Sequence, residues 1–259
     1  MKTGIHPSAV VDPGASLDPS VEIGPFCVIG KGAHIKKGTR LLSHVVVDGA
    51  TEIGEDCTIH SFATIGLPPQ DLKYKGEETK LILGDGNIVR EYVSIHRGSV
   101  GGDGSTVVGS NNFLMAYVHI AHDCKVGSHV VMANSATLGG HVVIEDHVVI
   151  GGIAGIHQYT RVGKYVMVGG FSRITQDVPP FMIVSGMEPK LFGPNSIGLK
   201  RHGFSDADIN DLKKAYRILF RQKITIKDAV KKIHDEMEVS AHIQHLIDFI
   251  EKNKRGISR

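Results

Sequence analysis

An aliphatic residue recurs at every sixth position along the start of the chain: Ile5, Val11, Leu17, Ile23, Ile29, Ile35, Leu41, Val47, Ile53, Ile59 and Ile65. The register returns at Leu83, Val89 and Ile95. A second break shifts it by one residue. It then runs through Val108, Leu114, Ile120, Val126, Met132, Leu138, Ile144, Ile150, Ile156, Val162, Val168 and Ile174. The short strands of a sandwich do not keep one spacing for so long. A six-residue unit with one inward aliphatic side chain and a tight corner is the pattern of a parallel β-helix. Three units close one triangular coil, so these anchors make about nine coils, a prism roughly 40 Å long at ~4.8 Å per coil. Glycine follows many anchors, including Gly24, Gly54, Gly84, Gly109, Gly127 and Gly151. Positive φ at a tight corner is the expected reason.

The breaks carry their own signal. Residues 67–80 (LPPQDLKYKGEETK) and 99–106 (SVGGDGST) lack anchors and hold Pro, Gly and charge. They read as loops that leave the prism, and loops on a rigid solenoid often carry function. The repeat is expected to end at Ile174, with DVPPF as an exit segment. The pattern turns helical from about residue 196. Ser205 with Asp208 resembles a capping box ahead of an Ile209, Leu212, Tyr216, Leu219 and Phe220 stripe. Further helices are expected from Thr225 (Val230, Ile233, Met237) and from Ser240 (Ile243, Ile247, Ile250), the last stopping by Gly256. The expected division is a β-helix over residues 1–180, then a connecting segment and a helical domain over 181–259.

Composition narrows the class. The chain has 259 residues, 41% hydrophobic and 22% charged, which excludes wholesale disorder. No apolar run approaches the roughly 18 residues that a membrane span requires. The segment MKTGIHPSAVVDPG lacks the apolar core of a signal peptide. Cys27, Cys57 and Cys124 are scattered, which argues against a disulfide framework and for a reducing compartment, hence the cytoplasm. The net charge of +2 hides a split: from Lys200 onward, 14 Lys plus Arg face 9 Asp plus Glu. That bias suits a phosphate-bearing or acidic partner and is too weak to argue for nucleic acid.

Histidine is abundant, at 15 residues. Anchors 18 apart stack on one face, and Ile120, Leu138 and Ile156 form such a column. His119 and His122 flank Ile120, His141 lies three past Leu138, and His157 and Gln158 follow Ile156. Four histidines therefore gather beside one face of three successive coils, within roughly 10 Å. His96, next to Ile95, belongs to an earlier coil. A neutral imidazole can accept and return a proton near pH 7, with Asp123 fixing the tautomer of His122. Histidine is also the commonest zinc ligand, and the spacing alone leaves both readings open, beside a purely structural one.

The motifs HIAHDC at 119–124, GGHV at 139–142, His157-Gln158, QDLKYKGE at 70–77, REYVSIHRG at 90–98, QDVPP at 176–180 and GLKRHGFS at 198–205 together resemble the bacterial UDP-N-acetylglucosamine 3-O-acyltransferases. The resemblance covers essentially the whole chain. It implies a mainly β protein, a left-handed parallel β-helix of hexapeptide repeats with a C-terminal α-helical domain. It also implies a homotrimer with active sites between adjacent prisms, with no metal and no cofactor. The reaction implied moves an (R)-3-hydroxyacyl chain from acyl carrier protein to the sugar 3-hydroxyl, the first step of lipid A synthesis.

Carried over residue by residue, His122 is the general base, Asp123 supports it, and the Gly140 N–H holds the oxyanion. His96, His119, His141, His157 and Gln158 line the substrates. Asp71 and Lys73 reach substrate from a neighbouring subunit, and Asn195 and Arg201 bind the nucleotide sugar. Gly170 matches the position that measures acyl length; glycine there leaves the groove open for a longer chain, about C12–C16. Phe171 and Gly186-Met187-Glu188 can close that groove elsewhere. Arg161, Lys164 and Arg173 are candidate contacts for an acidic carrier. Two residues depart from the family pattern. Ile197 stands where glutamate is common, which leaves open a 3-amino acceptor and an amide product. His202 stands where a second arginine is common. The other classes are a zinc carbonic anhydrase on the same prism, the later N-acyltransferase of the pathway, and a non-catalytic scaffold. The N-acyltransferase resembles a prism with an added N-terminal domain, whereas here the repeats begin at Ile5.

Overall fold

The structure is a computed structural model that describes residues 4–253 and 255–259. Short strands, most of two residues, build three sheets of nine, eight and ten strands, parallel except for the final pair of the third. Consecutive strands enter different sheets, and each pairs with the strand one coil later, as in Val10↔Val28 and Val28↔Val46. This is the expected left-handed parallel β-helix. Every anchor from Ile23 to Ile174 is at most 4% exposed. Val11 and Leu17 are half-buried and Ile5 is exposed, because no described coil covers that end of the prism.

Two details of the repeat differ from expectation. Each unit points two side chains inward, the anchor and a smaller residue two positions before it. Val21, Cys27, Ala33, Val45, Cys57, Ala63 and Cys124 are all buried in this second row. All three cysteines thus serve as small core residues, and burial pushes the Cys124 thiol up to about 12. The glycines after the anchors also have another cause. Among the described glycines that directly follow an anchor, Gly66 alone has positive φ. The left-handed residue comes two positions later and is mostly not glycine: Phe26, Asp56, Asp123, His141 and Tyr159 are examples. Glycine after the anchor answers to crowding between coils, since a Cβ at Gly24 would meet the Leu42 carbonyl oxygen at 2.6 Å.

The two interruptions are whole insertions that leave the stacking intact. Thr64 pairs with Ser94 across the first, and Ser94 with His119 across the second. The prism also continues past Ile174. Val178 bridges to Val162, Val184 pairs with Val168, and both are buried, so DVPPF opens one more irregular rung. The strand Met182–Ser185 then turns back antiparallel into Lys190–Pro194.

Four helices follow: α1 (Ser196–Arg201), α2 (Asp206–Arg221), α3 (Ile226–Glu236) and α4 (Ala241–Glu251). Ser205 and Asp208 form the capping box, and Thr225 and Ser240 cap α3 and α4. The short α1 was not separately expected. The final helix ends at Glu251, short of Gly256, because the tail returns to the prism: Gly256 and Ser258 hydrogen-bond the backbone of Asp177. No helix of the described residues is long and apolar enough to cross a membrane.

Candidate active site

Both insertions leave the same edge of the prism, between the first and second sheets. The strand Thr64–Leu67 lies in the first sheet and Lys80–Leu83 in the second; Ser94–His96 and Ser105–Val108 repeat the arrangement. The next coils place Asp123, His141 and Tyr159 at that edge, all in the left-handed conformation. The same conformation recurs at corner after corner, so it belongs to the fold and not to special strain at the site.

The second loop folds back over Asp123. The Ser99 hydroxyl donates to Oδ2 at 2.6 Å, and the Ser99 N–H lies 3.1 Å from both carboxylate oxygens. The Asp123 N–H donates to Thr106 Oγ1. The loop can approach because Gly102 has no side chain; a Cβ there would meet Asp123 Cγ at 2.5 Å. Burial would raise the Asp123 pKa, but the hydrogen bonds from Ser99 and His122 outweigh it and hold the carboxyl below its ordinary value. Asp123 is therefore a buried, satisfied anion.

His122 Nδ1 lies 2.8 Å from Asp123 Oδ2. An ionised carboxylate only accepts, so the proton sits on Nδ1 and Nε2 presents its lone pair. That face of the ring abuts Gly140, where a Cβ would lie 2.9 Å from Nε2. The Gly140 N–H donates to no protein group among the described residues. His141 Nε2 is 3.9 Å from the same carboxylate oxygen, and its ring stacks on Tyr159 at 4.4 Å. Burial lowers the His141 pKa against the pull of Asp123.

The coils before hold a second pair. His96 and His119 meet edge to face at 5.0 Å, and His119 Nδ1 bonds the Ser94 hydroxyl at 2.7 Å. His96 is 5% exposed, and burial, helped by His119 and His122, pushes its pKa down to about 4. Its Nδ1 has no partner among the described residues. On the other side, His157 and Gln158 are exposed and share a cavity of about 400 Å³ with Gly139, Gly140, Gly155 and Arg173. Gly170 begins the strand-to-strand corner at the far edge of that same sheet face, and a Cβ there would stand 3.3 Å from the Gly152 carbonyl.

The remaining expected residues sit on other elements, although Asp71 stands close enough to His141 in the same chain to pull its pKa upward. Asp71 accepts from the Lys73 N–H on the first loop, whose tip residue Leu72 is fully exposed. Arg97 braces this loop through Tyr74 and the Gly66 carbonyl. Asn195 caps α1, accepting from the Gly198 N–H and donating to the Tyr165 carbonyl. Arg201 is exposed at the end of that helix, and Ile197 is exposed in its first turn. The suggested carrier contacts do not form one surface. Arg161 pairs with the buried Asp177 at 2.7 Å, Lys164 pairs with Asp146 beside Tyr165, and Arg173 faces out from the first sheet. Twelve residues is two-thirds of a coil, so Arg161 and Arg173 point from different faces.

Donor atoms of His122, Asp123 and His141 all lie within 4.8 Å of one another, a spacing that a metal ion can use. Here the Asp123 oxygens are already engaged by Ser99 and His122, and His122 Nδ1 by Asp123, so only Nε2 is presented outward from that pair. Sequence reasoning missed Ser99 and Thr106. No periodicity ties an inserted loop to the carboxylate it covers.

Residues 177–258 match the family model described as Udp N-acetylglucosamine O-acyltransferase, Domain 2, and residues 105–140 match six bacterial transferase hexapeptide repeats. An acyl-[acyl-carrier-protein]–UDP-N-acetylglucosamine O-acyltransferase of Thermodesulfovibrio yellowstonii is 58% identical over 222 residues, 86% of each chain. One of Syntrophobacter fumaroxidans is 49% identical, covering 98% of this chain and 99% of its own. The solved structure of LpxA from Acinetobacter baumannii superposes with a TM-score of 0.96 at 46% identity, over 98% of this chain and 99% of that one.

Proposed function

The chain belongs to the family of acyl-[acyl-carrier-protein]–UDP-N-acetylglucosamine O-acyltransferases, and on that premise we propose that it moves an (R)-3-hydroxyacyl chain from acyl carrier protein to the 3-position of UDP-N-acetylglucosamine, the first step of lipid A synthesis. The observation that carries the mechanism is the His122–Asp123 pair facing Gly140. His122 Nε2 takes the proton of the sugar 3-hydroxyl as that oxygen attacks the thioester carbonyl. The new C–O bond gives a tetrahedral oxyanion, held by the Gly140 N–H. Collapse breaks the C–S bond, and the carrier thiolate leaves with the proton returned from imidazolium. Asp123 stays ionised throughout and stabilises that imidazolium. Each of the base step and the oxyanion contact contributes a factor of about 10² or more.

His96, His119, His141, His157 and Gln158 line the substrates in this reading. In this reading the acyl chain runs from the cavity at Gly155 towards Gly170, and Phe171 and Met187 are exposed. A homotrimer is supported by the apolar stripe along one edge, where Phe26, Phe62, Tyr92, Tyr117, Ile153 and Phe171 are all exposed. In that trimer Lys73, Asn195 and Arg201 of one subunit would reach the site of another, while Asp71 already stands near His141 of its own chain. The exposed Ile197, where the family pattern favours glutamate, supports a second acceptor, the 3-amino analogue, on which the same base would give an amide. Incubation with 3-hydroxyacyl carrier proteins of graded length and either acceptor, read by mass spectrometry, tests the reaction. An acylated sugar nucleotide supports it, and none from folded protein refutes it. Light scattering tests the trimer.

A further inference from the structure

Arg255 lies on the C-terminal tail, 98 residues from His157, yet its Nη2 is 2.7 Å from His157 Nδ1. The tail is fixed there by the buried Asp177. That carboxylate accepts from Arg161 Nε and from the Asn253 amide, while its backbone pairs with Gly256 and Ser258. Arg255 Nε also donates to the Thr175 carbonyl, so the guanidinium is held at two points. A guanidinium has donors only. His157 Nδ1 must therefore accept, and the ring hydrogen must sit on Nε2.

The competing partner of Nδ1 is the Gln158 carbonyl oxygen, 3.2 Å away. A proton on Nδ1 would donate to that oxygen and would also confront the guanidinium N–H. The shorter, charge-assisted contact decides in favour of the accepting Nδ1. His122 is set the opposite way: its Nδ1 faces a carboxylate, so Nδ1 carries the hydrogen and Nε2 the lone pair. Each imidazole neighbours Gly140. His122 Nε2 faces the position a Cβ there would fill, and His157 lines the same cavity as Gly140.

We infer that Arg255 is a positioning residue that locks His157 in the Nε2–H tautomer, so that one imidazole of the site accepts a proton while the other donates a hydrogen bond to an oxygen of the bound sugar or 3-hydroxyacyl group. This rests on the acyltransferase reading for its consequence, but not for its structural content. The C-terminal tail, which makes no part of the repeat, thereby completes the polarity of the site.

The test has a spectroscopic arm and a kinetic arm. In full-length protein labelled with ¹⁵N-histidine, at a pH where imidazoles are neutral, long-range ¹H–¹⁵N correlation reports which ring nitrogen is protonated. A His157→Gln variant assigns the signal. The expected result is an unprotonated Nδ1 in the native protein and a shift towards Nδ1–H in Arg255→Met, with Arg255→Lys restoring the native pattern. Kinetically, Arg255→Met is expected to lower kcat/KM by about tenfold or more and to add nothing in a His157→Gln background. A native His157 protonated on Nδ1, an unchanged tautomer in Arg255→Met, or additive kinetic losses would overturn the inference. If the native protein shows no transferase activity, the acyltransferase reading fails while the tautomer measurement still decides the Arg255–His157 link.

Discussion

The absent side chain of Gly140 is what lets the His122 imidazole occupy its place: a Cβ there would lie 2.7 Å from Cε1 and 2.9 Å from Nε2. Gly140 has no positive φ, so the requirement is space and not backbone conformation. Gly140→Ala should fold normally and displace the ring from its alignment with Asp123. We expect kcat to fall by about 10² or more, with a melting temperature close to native. A variant with native kcat would show that the ring and the Gly140 corner do not act together.

Ser99 supplies the hydroxyl closest to the Asp123 carboxylate, at 2.6 Å within a buried setting. Ser99→Ala removes that donor and leaves the backbone N–H. Loss of a buried hydrogen bond to a charged group costs about 1.5–3 kcal/mol. Removing a bond that lowers the Asp123 pKa raises it, so the acid limb of the activity profile should move to higher pH. Urea unfolding and a pH–rate profile of the variant check both effects.

Stability should erode on mild acidification. The folded pKa of His96 is depressed to about 4 from the usual 6.5, because burial opposes its charge. Between those values the unfolded chain binds a proton that the folded chain refuses, so stability present above pH 6.5 is lost as pH falls towards 4. His119, His141 and His147 are shifted in the same direction, burial being the first cause in each. Asp123, also depressed, adds its loss only at lower pH, below its ordinary 3.8. A His96→Leu variant should show a shallower fall in urea midpoint between pH 6.5 and 4. An identical slope would place the effect elsewhere.

Acyl length should answer to Gly170. A methionine there would project at the far edge of the sheet face that carries the Gly140 cavity. Gly170→Met is expected to shift the preferred donor to a chain shorter by several carbons, with kcat on that shorter donor near native. Competition between carrier-bound donors of graded length, read by product mass, measures the shift. Unchanged preference would mean that Phe171 or the turn at Met187 sets the limit.

The anchors from Ile23 to Ile174, the insertions, the Ser205–Asp208 capping box and the His122–Asp123 adjacency were all legible, because each is a local or strictly periodic pattern. The second inward row was not, since a mixture of Cys, Ala, Val and Thr carries no hydrophobic period of its own. Positive φ explains Gly66 but not the other glycines after anchors, where close approach of coils selects the same residue. Ser99 over Asp123 and Arg255 on His157 join segments 24 and 98 residues apart through a loop and a tail that carry no repeat. Arg161, Lys164 and Arg173 are close in sequence but the rotation of the coil and the partners Asp177 and Asp146 separate them, which sequence proximity alone does not show.

We propose that His122 acts as a general base that needs no metal. The most direct measurement incubates native protein, His122→Ala and chelator-treated native protein with 3-hydroxyacyl carrier protein and UDP-N-acetylglucosamine, and quantifies acylated sugar nucleotide by mass spectrometry. Product should survive chelation and fall by about 10² or more in His122→Ala, with native melting. Product that persists in His122→Ala, or that vanishes on chelation and returns with zinc, would contradict it.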